Sequence, residues 1–477
     1  MIELGIVPAQ VAGLQPADAD RLQKLIDTFN SHYEANAKKD KYYEGNIPLA
    51  ECNLGIALPK SFSGLEIGCA WGTKTVDVLA ARSMFDGFVG ADGEEIPELS
   101  EICEGNSLIF EYQRGTRDEL KYGCTFATLS KDPESRGGVK IRYHSPLTAA
   151  ARWSGDKGRI DYGMAIIDGR PDNVTQVWAP HLINLYTDEA VIVLRKAEYG
   201  WTAEYYYHKM GRPLMEAVIY NATSSKPFGR SRIKGPIRHL IQGYVRTVAN
   251  ATIGLEFSTT PQKYLLGVTD AQYEAVISNK FKQYIGNLLA STVNPDTGEK
   301  PTFGQLAQGT INPHIEMMRL LATQFAAATG LTVTDTGVIN TANPSSSDAM
   351  IAQEKTLVMM AEQLNTGNGV ALSTIARMAL AIRLDVALDE LPDTYKGVIP
   401  HFKNPAMPSV SITADAAMKI ASARPTFAQT DVFLEMVGLD RADIKRIRAE
   451  ETRARGTEVL ASIMAGETLA APAEPEA

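Results

Sequence analysis

The sequence predicts an α+β chain, and three observations carry that reading. From about residue 107 to 209, short runs rich in β-branched and aromatic residues alternate with turn residues, the pattern of an antiparallel meander. Before this stretch, and through most of the chain after Gly229, apolar residues recur at three- and four-residue spacing, as amphipathic helices require. At 477 residues, 44% apolar and 22% charged, the composition is that of an ordinary globular chain of several domains' length, which sets aside collagen-like, mucin-like and wholly disordered classes.

Residues 16–36 form the first expected helix, with Leu22, Leu25, Ile26, Phe29 and Tyr33 on one face and Asp18 or Asp20 as N-cap. Residues 74–83 read as a second, ending near a Gly87-Phe88 turn. The expected strands are 123–129, 139–144, 160–167, 174–178, 190–194 and 201–207. A long helix follows at 231–257, with Pro236 tolerable only in its first turns, and a shorter one at 269–289 before the turn Asn294-Pro-Asp-Thr-Gly298. Asn312 as cap, Pro313 at the first helical position and Gly330 as stop frame a helix between them. The polar stretch 331–347 (LTVTDTGVINTANPSSS), with Asp335 its single charge, reads as a loop of about a dozen residues, longer than a connector needs. Helices are expected at 348–364 and 370–391, broken by Asn365-Thr-Gly-Asn-Gly369, and residues 430–455 suit two short exposed helices. Residues 467–477 (ETLAAPAEPEA) read as a solvated tail.

Chemistry-bearing motifs are sparse. Cys52, Cys69, Cys103 and Cys124 are too far apart for C-x-x-C pairs and too few for a disulfide framework, so they read as reduced thiols. Seven isolated histidines show no metal-ligand spacing. No G-x-S-x-G elbow occurs, and no catalytic, cofactor or metal site is expected. Residues 65–75 (LEIGCAWGTKT) are reminiscent of the glycine-rich motif of S-adenosylmethionine methyltransferases, but no βαβ series follows; the phosphate-loop spacing is absent as well. The first residues lack the n-region of a signal peptide and no apolar run reaches membrane-spanning length, which argues against secretion and a membrane.

Charge is more informative. The chain carries a formal net charge of -9, so any polyanion contact must be local. Between Ala217 and Leu255 there is no acidic residue, while Lys226, Arg230, Arg232, Lys234, Arg238 and Arg246 are basic. These six are candidate phosphate contacts, the alternative being a basic helix face that answers acidic neighbours. Residues 326–394 contain no Phe, Trp or Tyr and so offer no ring on which a base could stack.

Several segments, in their order and spacing, resemble the portal, or head-to-tail connector, proteins of long-tailed double-stranded DNA bacteriophages. They are Asp40-Lys-Tyr-Tyr-Glu-Gly45, with the look of a tyrosine-rich, glycine-ended turn; Trp71-Gly-Thr-Lys74 with Val76-Asp77 and Asp86-Gly-Phe88; Gly211-Arg-Pro213; and Gly229-Arg-Ser-Arg-Ile233. Pro261-Gln262, Tyr264-Leu-Leu-Gly267, Gly304-Gln305, Ala307-Gln308, Pro313-His314 and Thr329-Gly330 continue the series, so that the similarity runs from about residue 40 to 436.

The resemblance implies a portal fold: a wing at 1–228, a first stem helix at 229–257, a clip at 258–312, a second stem helix at 313–330, a tunnel loop at 331–347, wing helices at 348–425, a crown at 426–466 and a disordered tail. It implies assembly with itself as a ring, typically a dodecamer, at one capsid vertex of the virion. Double-stranded DNA would pass through that ring without sequence preference, packaged by the terminase large subunit and later ejected. A head-tail adaptor and the major capsid or scaffolding protein would be further partners. Thr332, Thr334, Asp335, Thr336, Asn340, Thr341 and Asn343 would then face the tunnel. Two readings compete: a methyltransferase, and a different phage head or adaptor component.

Overall fold

The computed structural model describes residues 4–49, 66–171, 178–259, 263–266, 298, 300, 302–305, 310–337, 347–406, 410–439 and 441–464. Two compact units divide the chain, Met1–Pro405 and Ala406–Ala477. The expected helix at 269–289, residues 174–177 and the loop residues Asn340, Thr341 and Asn343 lie outside the described residues.

Helix α1 (Pro16–Glu44) opens with Pro16 in its first turn and without a side-chain cap. Asp18 is not the cap: it lies inside the first turn, buried, and accepts from Arg21 Nη1 (2.8 Å) and Tyr205 Oη (2.9 Å). The helix runs two turns past its expected end and stops at Gly45, whose φ of 76° lies in the left-handed region. Asp40 to Glu44 are therefore helical, and only Gly45 turns.

A short antiparallel pair, β1 (Asn46–Pro48) with β2 (Glu66–Gly68), leads to helix α2 (Trp71–Ala80). The expected Gly87-Phe88 turn is instead strand β3 (Phe85–Val89). Helices α3 (Pro97–Asn106) and α4 (Leu108–Tyr122) follow, so the β-rich region begins at Cys124 and not near residue 107. Ile109, Phe110 and Tyr112 supply β-like composition, but Leu108, Tyr112, Gly115, Thr116, Glu119 and Leu120 are buried at helical spacing, and packing overrides propensity.

Strands β6 (Ala149–Ser154), β7 (Arg159–Pro171), β8 (Trp178–Tyr186), β9 (Ala190–Ala197) and β10 (Gly200–Tyr207) form an antiparallel meander in the order β10-β9-β8-β7-β6; β7, β9 and β10 contain expected strands, β8 shares only residue 178 with the expected 174–178, and β6 was not expected. One face is covered by Leu22, Leu25, Ile26 and Phe29 of α1, packed with Ile183, Leu185, Ile192, Leu194 and Trp201. A second sheet orders β11 (Met215–Ile219), β4 (Cys124–Lys131) and β5 (Val139–His144).

After β11 come helix α5 (Gly235–Thr259), the antiparallel pair β12 (Lys263–Leu266) and β13 (Thr302–Gln305), and helix α6 (Asn312–Thr329). Pro313 sits in the first turn of α6 and Gly330 ends it at φ 73°, as expected, but Asn312 caps nothing with its side chain.

Helix α7 (Ser347–Leu384) is continuous where the sequence predicts two helices. Both asparagines of the expected break have a structural use. Asn368 is fully buried and its amide donates to Tyr112 Oη and Glu119 Oε2, both at 2.9 Å. Asn365 Oδ1 accepts from Ser83 Oγ at 2.6 Å. A Cβ at Gly369 would lie 3.6 Å from Pro400 and 3.8 Å from Phe402, ordinary contact distances, so this glycine does not break the helix and is not demanded by its neighbours. Helix α8 (Asp393–Lys396) and strand β14 (Ile399–Phe402), paired with β3, complete this unit.

The second unit contains α9 (Val410–Ala423), α10 (Asp431–Val437) and α11 (Arg441–Met464). Thr430 caps α10 by accepting from Phe433 N, and Arg448 of α11 bonds Asp431 and Glu451. Of the two short helices expected at 430–455, the second is 24 residues long.

Candidate functional site

Three of the segments singled out by the sequence, those around Tyr42, Trp71 and Ile233, meet where α5 and α6 pack together. On α5, Ile237, Ile241, Val245 and Ala249 are buried at a spacing of four; on α6, Leu321, Ala322 and Phe325 meet them. The indole of Trp71, at the start of α2, stacks on Phe325 (centroids 4.5 Å apart) and lies 4.4 Å from the Tyr244 ring of α5. One buried tryptophan thus joins three helices.

The tyrosine-rich segment ending at Gly45 and the segment beginning at Trp71 are in contact. Thr73 Oγ1 donates to Tyr43 O (2.5 Å), Tyr43 Oη to Asp77 Oδ1 (3.0 Å), and Cys69 N to Gly45 O (3.2 Å). Gly72 is required here: a Cβ would lie 1.8 Å from the Tyr42 carbonyl oxygen. Gln242 Nε2 of α5 donates to Tyr42 Oη (2.5 Å). This geometry disposes of the methyltransferase reading, because the glycine that would approach a cofactor is closed by the backbone of α1, and β2 belongs to a two-stranded antiparallel pair.

The start of the 331–347 loop is built, not slack. Thr332 N and Oγ1 both donate to Asp335 Oδ2 (2.9 and 2.8 Å), and Asp335 N donates back to Thr332 Oγ1 (3.2 Å). That reciprocal pair is the arrangement of a capping box and supports the single 3-10 turn Thr334–Thr336, closed by Gly337 at φ 85°. Thr334 Oγ1 lies 2.9 Å from Thr332 Oγ1, Thr336 Oγ1 donates to Val333 O (2.5 Å), and Trp71 Nε1 donates to Thr336 O (3.4 Å). Asp335 therefore serves the turn's own backbone. Its signal, T-x-x-D at 332–335, stands in the sequence; the Trp71, Tyr244 and Phe325 cluster has no local signal.

The six basic candidates separate by environment. Arg232 is buried: Nε donates to Thr75 O (2.6 Å), Nη1 to Tyr220 Oη (3.1 Å) and Nη2 to Thr329 O (2.7 Å). It braces α2, the segment after β11 and the last turn of α6, so its reading as a phosphate contact is corrected: every arm of its fork has a protein acceptor. Lys226, Arg230 and Lys234 are exposed. Arg238 and Arg246 are half-buried on α5, with the Arg238 guanidinium 5.9 Å from the Tyr42 ring centroid. Cys69 and Cys124 are buried and Cys103 half-buried, none of them in a disulfide; Cys52 lies outside the described residues. Among the described residues no group of three His, Cys, Asp or Glu could hold a metal ion, and no helix is long and apolar enough to cross a membrane.

No protein-family model matches this sequence, and no curated protein matches it. Among solved structures, 84 chains resemble this one, and two serve as examples. The neck of an empty GTA (gene transfer agent) particle, computed with C6 symmetry, is 12% identical over 74% of this chain and 86% of that one, with a TM-score of 0.44. The neck of a native GTA particle, computed with C12 symmetry, is 11% identical over 77% and 89%, with a TM-score of 0.43.

Proposed function

We propose that the chain is a portal-type subunit, one of about twelve around a conduit through which double-stranded DNA is packaged by a terminase and later ejected. The observation that carries this reading is the pair α5 and α6: two long helices packed side by side, with the antiparallel β12 and β13 between them in the chain, and a polar, ring-free loop after the second. These correspond to the two stems, the clip and the tunnel loop that the sequence motifs imply in the same order. Met317 and Leu320, three residues apart on one face of α6, are exposed in the single chain, and a neighbouring copy in a ring would cover such a pair.

The electrostatics favour a conduit. A ring of subunits each carrying -9 repels phosphate over most of its surface, so DNA slides and is held only where local basic groups reach it. In this reading Thr332, Thr334 and Thr336, with Asn340, Thr341 and Asn343, offer DNA small polar groups; Lys226, Arg230, Lys234, Arg238 and Arg246 remain the phosphate contacts. The β12 and β13 end docks the terminase and then the adaptor, and the outer surface meets the capsid or scaffolding protein. No residue acts as a catalyst.

Native mass and negative-stain imaging test the assembly. The expected particle is annular with a central hole and a mass near 620 kDa, about twelve times 51.8 kDa; a lone species of 52 or 104 kDa without rings would sink the proposal. The DNA contacts are tested by Arg238→Ala combined with Arg246→Ala in a packaging assay. The double variant is expected to retain less DNA and to show a flatter dependence of retention on salt. Retention equal to wild type at every salt concentration would remove both arginines from contact with DNA.

A further inference from the structure

We infer that a corner of the five-stranded sheet, far in sequence from the loop and stem helices, is a binding site for hydrogen phosphate, formed by Arg159, Arg212, Arg377, Asp188 and His208. Arg159 opens β7, Asp188 lies in the β8 to β9 turn, His208 and Arg212 lie in the segment leaving β10, and Arg377 projects from α7. The fold fastens these pieces together: Arg159 Nη2 donates to Gly211 O (2.9 Å), His208 N donates to Glu189 O (2.8 Å), and Arg212 pairs with Glu216 of β11.

Two features show that the corner is incomplete. Four polar side-chain atoms are buried there without a hydrogen-bond partner: Arg159 Nε, Arg212 Nε, Asp188 Oδ1 and His208 Nε2. Native interiors leave few such atoms unmatched. The charges do not balance either. Three guanidiniums meet two carboxylates, Glu216 and Asp188, and the Lys157 ammonium is shared between Asp188 Oδ2 and Asp161 Oδ1 (both 2.8 Å), so one positive charge is left over. Arg159 and Arg377 bond only neutral carbonyls, Gly211 O and Ser373 O. Both bear on the Arg212 and Glu216 pair, where burial pushes the guanidinium's proton affinity down and the carboxyl's up. Water would fill the hydrogen bonds but leave the third guanidinium uncompensated, whereas an anion does both.

The unmatched set also selects the anion. Guanidinium N–H groups donate to oxyanion oxygens, whereas Asp188 Oδ1 only accepts, so it repels a fully ionised anion and welcomes one that still carries a hydroxyl proton. Phosphate at neutral pH keeps that proton and sulfate does not. His208, whose burial holds its pKa below the ordinary imidazole value, accepts Met210 N on Nδ1 (3.4 Å), so its Nε2 carries the ring proton and is a donor.

The test is thermal unfolding and titration calorimetry of the full chain at pH 7 in phosphate, sulfate and chloride at matched ionic strength. Phosphate is expected to raise the melting midpoint above that in chloride and to bind about tenfold more tightly than sulfate. Arg377→Gln, at a half-buried position on the helix surface, is expected to cost about tenfold in phosphate affinity while the circular dichroism spectrum is unchanged. Should that variant not fold, Arg377→Lys keeps the charge, loses the planar fork and reads the same loss. Asp188→Asn is expected to erase the preference over sulfate. A phosphate midpoint equal to that in chloride, sulfate binding as tightly as phosphate in the wild type, or unchanged affinity in Arg377→Gln would each overturn the assignment, leaving a water-filled corner.

Discussion

Trp71→Ala is expected to destabilise the protein by about 3–5 kcal/mol, the range for truncating a buried tryptophan, read as a lower midpoint in urea unfolding. The indole is 5% exposed and stacks between Phe325 and Tyr244, so its removal opens a space that three helices must collapse together to fill. Tyr199→Ala is the matched control, at a side chain 95% exposed, and is expected to change stability by no more than about 0.5 kcal/mol. Hydrogen exchange adds a second readout. Losing the donor to Thr336 O should unprotect residues 332–337 before the body of α6. If Trp71→Ala costs no more than Tyr199→Ala, the tryptophan is not what joins stem and loop.

The second large effect is electrostatic. Glu119 is fully buried between α4 and α7, and its carboxylate has no cationic partner within the network of Asn368, Tyr112 and Ser83. Burial pushes its pKa from the ordinary 4.5 up to about 8. The orphaned atoms agree: Glu119 Oε1 and Asn368 Oδ1 are both buried acceptors without a donor, and a protonated carboxyl supplies the missing donor. Tyr112, Tyr143 and Cys124, the titratable groups around it, are likewise held neutral by burial.

Because the folded carboxyl holds its proton more tightly than the unfolded one, folding takes up a proton between pH 4.5 and 8. Stability from this group is full below 4.5 and falls as pH rises through 8, with a slope approaching about 1.4 kcal/mol per pH unit. Asp118, raised to about 6, adds in the same direction, and His144, lowered to about 4, acts oppositely at acid pH. The comparison with Glu119→Gln isolates the residue, since that variant keeps the shape without the titration. Unfolding free energies measured from pH 5 to 9 should diverge, wild type losing several kcal/mol on that order more than the variant. Parallel curves would mean that Glu119 is ionised in the folded protein.

The sequence was most legible where the period of apolar residues and the end signals agree. Residues 312–330 show Pro313 and Gly330 where the helix begins and ends, and the strands at 139–144, 190–194 and 201–207 lie within β5, β9 and β10. It misled where tertiary packing reuses a local breaker. Asn365 and Asn368 read as a turn because their amides compete with helical hydrogen bonds in isolation, but in the core those amides find Ser83, Tyr112 and Glu119, and α7 runs on. Helix α4 was hidden by its aromatic residues. For the candidate site, the order of motifs was visible and their contacts were not. Arg232 has the same composition signal as Arg230 and Lys234, and only the fold, which brings residues 75, 220 and 329 to its guanidinium, separates a buried brace from exposed cations.

The pairing of β3 with β14 sets an order in time. A strand that ends at Val89 is completed only by one that begins at Ile399, so its hydrogen-bonding edge emerges from the ribosome long before its partner exists. At about 5–20 residues per second the wait is roughly 15–60 s. During that interval Phe85 and Phe88, both buried in the finished protein, stand beside an open strand edge, the kind of surface that recruits foreign strands. The edge of β3 is therefore covered only when residues 399–402 arrive, and a fragment cut short before residue 399 carries that open edge permanently. Synthesis itself acts as the checkpoint: only a nearly finished chain hides the surface by which an unfinished one would aggregate.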